Sequence, residues 1–541
     1  MEREGELLAK ELALVVNNFD GSSARGLACD LKTLSGLGVY ASAVCSAVMA
    51  ADTSRCELVS PVGAKAFAAQ LSTLAADSKV ASLKIGYIDS VEQVEELVSF
   101  ISAEKPRFVI YDPVLGEGQT ALSLSDNPLF RAIKEKLLPL CHMMTVSLTK
   151  AGYFLGEQAG QMPALDDRSA LDQYIEELGM KLVVAGPRSI LLTGGGRKGS
   201  FSQDYFTNGV SGLWLSSLRR ATRETLGKSD TLASALAGAV CLGHNIMDGL
   251  VIARSYLNQS LDSLLAPGKG AQVMSHGQWQ CDQSTLPWLT LTGEEGRQRM
   301  AFRPTSNLGF YPIVDSFAMV ERLVTAGVKH IQLRIKNLSG EALSLEIRDA
   351  ARLCRQMGCE LFINDYVDLA IEHGASGVHL GQADLVSHDL TRLSDSGMKL
   401  GVTARAYWEV ARALAFKPSY ITVGPVFDDE THKEAHEGLT ALVRWRKVLD
   451  FPIVAAGGIS LENATAVLAT GVDSIAVYRD LSAGHDLSIR LEKWLRLFER
   501  RGLPSGIDRS FDASVTPSTE EAPRIASSES TGEKANLDLY R

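Results

Sequence analysis

Apolar and polar positions alternate in two distinct regimes along the chain. Between residues 12 and 260, short β-branched runs recur at 12–16, 40–48, 83–88, 108–112, 143–147 and 190–193. Longer segments with helical spacing, such as GLACDLKTLSGLG and TLASALAGAVCLGHNIM, separate them. Strands buried on both faces need helices to cover them, so this alternation predicts βαβ units on a largely parallel sheet. The period breaks over 263–303, where Gly, Gln and Ser interrupt it, and this stretch reads as a linker after a first domain of residues 1–262. A second alternation follows, with strand candidates at 310–315, 330–336, 360–365, 377–381, 399–403, 420–424, 452–458 and 474–478. Eight β/α repeats predict a (β/α)8 TIM barrel over 304–500, with its site at the C-terminal ends of the strands. The fold class is therefore α/β throughout: a three-layer α/β domain followed by a barrel. Residues 501–541 are polar and acidic with few aromatics and read as a disordered tail.

Composition narrows the function classes. A formal charge of −10 gives no basic excess for nucleic acid, although a local site for a small phosphorylated ligand is compatible with it. The eight cysteines are scattered without a CxxC pair, as in a reduced compartment. The charged start MEREGELLAKELALVV lacks the apolar core of a signal peptide, and no apolar run is long enough to span a bilayer. A cytoplasmic protein with no membrane or nucleic-acid partner is expected.

Within a barrel, residues that close successive strands converge. Gln332, Arg334 and Lys336 share one face by the period-two rule; Asn364 and Asp365 close the third strand, and Asp384 follows the fourth. Thr403 ends the fifth strand, and Gly457 and Gly458 end the seventh. A single Asp after a strand is commonly a helix cap. Two carboxylates facing two cations instead suit Mg²⁺ and a phosphorylated substrate, with the glycine pair exposing backbone N–H groups to a second anion.

These residues carry a resemblance. GFYPIVDS, AGVKHIQLRIK, LFINDY, GVHLGQADL, LGVT, PSYITVGPVF, VAAGGIS and ATGVDSIAV, collinear over 308–481, resemble thiamine-phosphate synthases. The resemblance implies transfer of hydroxymethylpyrimidine from its diphosphate to the nitrogen of thiazole phosphate, with release of pyrophosphate. It implies that Gln332, Arg334, Lys336 and Asn364 hold the pyrophosphate side, with Arg334 and Lys336 as catalytic cations. Asp365 and Asp384 would be the Mg²⁺ ligands. Thr403, Thr431, Lys433, Gly457, Gly458 and Arg479 complete the implied substrate contacts. The chain departs from the family in the loop DDETHKEAHEGL, where Asp429 and His432 replace Thr and Lys and Lys433 is displaced by one position, and at Arg479, which stands in place of a Ser. The added carboxylate at Asp429 is expected to weaken diphosphate binding. A thiazole tautomerase, a barrel relative, should lack the two carboxylates kept here.

NNFDGSSARGLACDLKTLSGLGVY, YDPVLG, LLTGGG and GKSDTLASALAGAV resemble the hydroxymethylpyrimidine and phosphomethylpyrimidine kinases of the ribokinase-like fold, over about 12–258. The resemblance implies ATP as co-substrate, Asp230 as the base and an anion hole at Gly227 and Lys228, with Asp20 and Asp112 as further site candidates. Departures are Ser229 for Gly, Ala51 for the pyrimidine-reading Gln, Ser147 and Lys150 in the Asn-x-x-Glu motif, and Asn18 and Arg25 in the first loop. Two readings of this domain stay open: a kinase that makes the diphosphate for the barrel, or a catalytically degenerate binding and scaffolding module beside an active synthase. Both imply small-molecule partners and leave a homo-oligomer open.

Overall fold

The computed structural model describes residues 11–114, 127–155, 167–194, 199–220, 222–427, 438–481 and 487–499. The chain divides into two compact units, Met1–Arg299 and Met300–Arg541.

The first unit contains β1 (Leu12–Asp20), β2 (Ala41–Ala51), β3 (Cys56–Pro61), β4 (Val80–Ile85), β5 (Phe108–Tyr111), β6 (Met143–Ser147), β7 (Ile190–Thr193), β8 (Phe201–Thr207) and β9 (Gly212–Leu218). A small pair, β10 (Thr225–Leu226) with β11 (Gln272–Val273), and β12 (Trp288–Thr290) complete it. The main sheet runs in the order β12-β9-β8-β7-β6-β5-β4-β1-β2-β3. Its centre, from β2 through β7, is parallel, and both margins are antiparallel. Leu14, Val16, Leu83, Ile85 and Val109 fill the interior, which is why those strands read as continuous apolar runs. The strand order reverses beside β1, which makes the carboxyl ends of β1 and β4 the usual ligand position in such sheets.

The predicted central strands appear with ends shifted by a few residues. The margins differ more. Every residue of β3 is exposed, so no buried face stamped a pattern on its sequence. Of the 263–303 stretch, expected to be a linker, residues 263–299 are folded into the first unit and 300–303 fall in the second. There β11 pairs with the residues before Gly227, and Trp288–Thr290 adds antiparallel to β9. Two- and three-residue strands are too short to show a period, and pairing partners distant in sequence define them.

The second unit is a closed barrel of β13 (Gly309–Val314), β14 (His330–Leu333), β15 (Glu360–Asn364), β16 (Gly377–Leu380), β17 (Lys399–Thr403), β18 (Tyr420–Val423), β19 (Ile453–Ala455) and β20 (Ser474–Val477). The helix Gly340–Met357 shows how its cover is encoded. Leu343, Ile347, Ala350, Ala351 and Cys354 form one buried stripe, and Gly358 closes the helix at φ 65°, a conformation cheap only without a Cβ. The tight third connection holds a helix of seven residues, Val367–His373. Inside the barrel, Tyr311, Phe362, Tyr420, Val454 and Ala476 pack as a floor beneath the C-terminal mouth. Among the described residues no helix is long and apolar enough to cross a membrane.

Candidate active site

A cavity of about 620 Å³ opens at the barrel mouth, and its wall includes Gln332, Arg334, Lys336, Asn364, Asp365, Asp384, Thr403 and Gly457. Arg334 and Lys336 lie just beyond β14, held to the sheet by the Arg334 N–H, which donates to the Val314 carbonyl at 2.7 Å. Ile335 between them is buried, so the period-two rule persists past the last ladder bond. Asp365 takes φ 67°, which Asp tolerates better than most residues, and its N–H donates to the His379 carbonyl at 3.1 Å. This turn swings its carboxylate toward Lys336, with which it forms an ion pair. Tyr366, not Asp365, occupies the N-cap of the next helix. Asp384 accepts from the Gly381 N–H at 3.1 Å.

Burial, and after it the charge of Asp365, raises the Asp384 carboxyl above the usual carboxylate range. Two carboxylates in one pocket form a hard oxygen donor set, suited to a divalent cation. Gly457 and Gly458 take φ 91° and 63°, and a Cβ on Gly457 would sit 2.5 Å from Pro425 Cα. The backbone here is too close to its neighbour for a side chain. Gly458 and Arg479 are not part of the cavity wall. Thr431 and Lys433, with Asp429 and His432, lie outside the described residues.

The wall also holds residues that sequence reasoning missed: His379, Arg405 and Thr422, above the floor residues Tyr311 and Tyr420. Burial, with a smaller push from the Arg334 guanidinium, takes the His379 imidazole down to about 4, so the ring is neutral near neutral pH. The available signal was inward alternation on the strands, which puts Tyr420 and Thr422 on one face and His379 opposite them.

In the first unit, the candidates lie at the carboxyl ends of β1 and β5 and at the start of the helix Lys228–Cys241. Asp20 ends β1, accepts from the Ser22 N–H at 2.9 Å and pairs with Arg25 Nε at 3.2 Å. Asp112 follows β5 and accepts from Thr145 Oγ1 at 2.8 Å and Ser229 Oγ at 2.5 Å; burial raises its carboxyl. Gly227 takes φ 81°, and a Cβ there would meet the Ala24 carbonyl oxygen at 2.4 Å, so the two loops touch backbone to backbone. Lys228 opens the helix Lys228–Cys241 and is shifted down by burial and by Arg219.

Asp230 lies at the centre of a network the sequence reading did not foresee. Lys84 Nζ donates to Asp230 Oδ1 at 2.8 Å and to Asp30 Oδ1 at 2.9 Å, Asn17 Nδ2 bridges both carboxylates at 2.9 Å, and the Gly26 N–H reaches Asp230 Oδ2 at 3.1 Å. Burial drives both carboxyls up. At Asp30 it prevails, to about 6; at Asp230 the Lys84 ammonium and the donors outweigh it and hold the group down. A lysine in the middle of the apolar strand VASLKI was the available signal, since a fully buried Lys needs a partner.

Comparisons with known proteins follow the same division. Residues 310–481 match the thiamine monophosphate synthase family and residues 20–275 the phosphomethylpyrimidine kinase family. The thiamine-phosphate synthase of Enterobacter sp. (strain 638) is 46% identical over 193 residues, which cover 35% of this chain and 92% of that protein. The corresponding protein of Salmonella dublin is 50% identical over 182 residues, covering 33% of this chain and 86% of that one. Among solved structures, the pyridoxal kinase from Staphylococcus aureus in complex with AMP-PCP and pyridoxal is 20% identical with a TM-score of 0.44, covering 50% of this chain and 95% of that one.

Proposed function

The chain belongs to the thiamine-phosphate synthase family through its barrel and carries a phosphomethylpyrimidine kinase family domain ahead of it; from this premise, we propose that the barrel cavity joins hydroxymethylpyrimidine diphosphate to thiazole phosphate. The protein acts in thiamine biosynthesis. The observation that carries the site assignment is the meeting of Arg334 and Lys336 with Asp365 and Asp384 in one cavity wall. Opposed charges of this kind accommodate a diphosphate together with a divalent cation, and neither would be stable there alone.

In this reading Arg334 and Lys336 neutralise the departing pyrophosphate, Gln332 and Asn364 orient it, and Asp365 and Asp384 would hold Mg²⁺. The bound cation would supply charge stabilisation for the leaving group. Lys336, paired with Asp365 in this structure, is placed to turn to the phosphate when that carboxylate takes up a metal. Gly457 exposes backbone to the second substrate, and the apolar floor keeps water from the pyrimidine methylene as the C–O bond breaks. Incubating the full-length protein with both substrates and Mg²⁺ tests the reading. Thiamine phosphate and pyrophosphate are expected in equal amounts, and neither forming would overturn it.

For the first unit, a specific observation favours the binding-module reading. Asp112 Oδ1 and both Asp230 oxygens accept from the protein's own donors, and Ser147 and Lys150 stand in the Asn-x-x-Glu motif. Full-length protein with hydroxymethylpyrimidine, ATP and Mg²⁺ separates the two readings. Appearance of the mono- or diphosphate establishes the kinase with ATP as co-substrate; pyrimidine binding without turnover establishes the module.

A further inference from the structure

Beneath the cavity runs an unbroken chain of hydrogen bonds. Gln332 Nε2 meets Tyr311 Oη at 3.3 Å, Tyr311 Oη meets Tyr420 Oη at 2.8 Å, His379 Nδ1 meets Tyr420 Oη at 3.1 Å, and His379 Nε2 meets Thr403 Oγ1 at 2.9 Å. Every link but the last is sealed from water: both tyrosines are 0% exposed, Gln332 3% and His379 7%. Gly401 is required by this packing, since a Cβ there would lie 2.1 Å from Tyr420 Cζ.

Proton counting gives the chain a direction. An amide nitrogen only donates, so Tyr311 accepts from Gln332. Tyr311 has one hydrogen to place, and Tyr420 is the acceptor beside it. Tyr420 then donates to His379 Nδ1. A neutral imidazole has one N–H, which must be on Nε2 and points at Thr403 Oγ1. Run the other way, the chain would strand the Tyr311 hydroxyl hydrogen in the apolar floor, an arrangement proteins avoid. With its oxygen already accepting from His379, Thr403 is left with a hydroxyl proton to offer to the cavity.

A second observation meets this one from the adjacent strand. Thr422 pairs in register with Thr403, is 7% exposed and lines the same cavity, and its buried Oγ1 has no partner among the described residues. A buried hydroxyl of this kind asks for a ligand atom. We infer that Gln332, Tyr311, Tyr420 and His379 form a one-way relay that fixes Thr403 as a hydrogen-bond donor, and that Thr403 and Thr422 together seat the polar edge of a nitrogen heteroaromatic ring. Tyr311, Tyr420 and His379 are positioning residues, and Thr422 is a specificity-determining one. The ring class rests on the synthase reading given above; the relay does not.

The test uses the full-length protein with ¹⁵N-labelled histidine, with the His379 signals assigned by their loss in His379→Gln. The wild type is expected to show a protonated Nε2 and an unprotonated, hydrogen-bonded Nδ1, and Tyr420→Phe to shift that Nδ1 signal. Thr403→Val and Thr422→Val are expected to raise KM for the pyrimidine diphosphate about tenfold with kcat within about twofold, while Thr422→Ser stays near wild type. A protonated Nδ1 in the wild type, or an Nδ1 signal unmoved in Tyr420→Phe, would overturn the relay. Unchanged KM in Thr422→Val would overturn the ring seat. If the wild type makes no thiamine phosphate, the functional reading falls, and the tautomer still decides the relay.

Discussion

Lys84 and Asp230 form an ion pair of 2.8 Å inside the first unit, with the lysine wholly enclosed and Asp30 as its second counter-ion. One ammonium thus balances two carboxylates contributed by a helix near the start of the chain and a helix two hundred residues later. Desolvating three ionised groups is costly, and their mutual contacts offset that cost only while all three are present.

Lys84→Met is therefore expected to destabilise the first unit by about 3–5 kcal/mol, because it leaves two buried carboxylates uncompensated. The measurement is denaturant dependence of hydrogen exchange in β1 and β4. The pH response should also change: in the wild type Asp30, raised to about 6, gains stability as pH falls through that value, while Asp230 acts in the opposite direction at lower pH. In the wild type the lowered Asp230 carboxyl contributes stability that is present above the unfolded value of about 4 and is lost as pH falls through the folded value. In Lys84→Met both carboxyls are raised, so the variant recovers stability on acidification. A variant with wild-type stability near neutral pH would refute the account.

Asp365→Asn separates conformation from charge. Asn tolerates φ 67° as well as Asp does, so unfolding should stay near wild type. Synthase turnover should fall at least about a hundredfold, the scale of a lost metal ligand, and Mn²⁺ binding followed by electron paramagnetic resonance should be lost with it. Normal metal binding in this variant would remove Asp365 from the ligand set.

Asp384 predicts a pH dependence of metal binding. Its carboxyl is raised by burial and by Asp365, so the free site takes up a proton above the usual carboxylate range. A raised carboxyl favours the metal-free fold as pH falls, and the same proton competes with the cation. Divalent-cation affinity should accordingly weaken on acidification already above pH about 4. Calorimetric titrations with Mg²⁺ at several pH values check it.

Gly457→Ala combines two penalties: a positive φ of 91° and a Cβ 2.5 Å from Pro425 Cα. Strain of this kind costs about 1–3 kcal/mol if the loop holds, and relaxes by moving the backbone away from the cavity if it does not. Either outcome should raise KM for thiazole phosphate more than KM for the diphosphate. Equal effects on both substrates would place the glycine elsewhere in function.

Several features were legible in the sequence because they depend on local rules. The eight barrel strands follow from repeated apolar runs separated by helix-length spacers, and the cavity wall around Arg334, Lys336, Asp365 and Asp384 follows from strand alternation and chain order. Tertiary structure decided the rest. Lys84 could be seen as misplaced in its strand, but its partners Asp30 and Asp230 are 54 and 146 residues away. The 263–303 stretch looked like a connection because strands of two or three residues have no period, and only the edges they pair with make them strands. The relay beneath the cavity is the clearest case. Tyr311, His379 and Tyr420 lie within apolar strand runs that carry no local sign of a polar role, and their polar atoms acquire a direction only when barrel closure brings three strands within hydrogen-bond reach. Periodicity is a property of neighbours along the chain, whereas charge balance and proton direction are properties of neighbours in space.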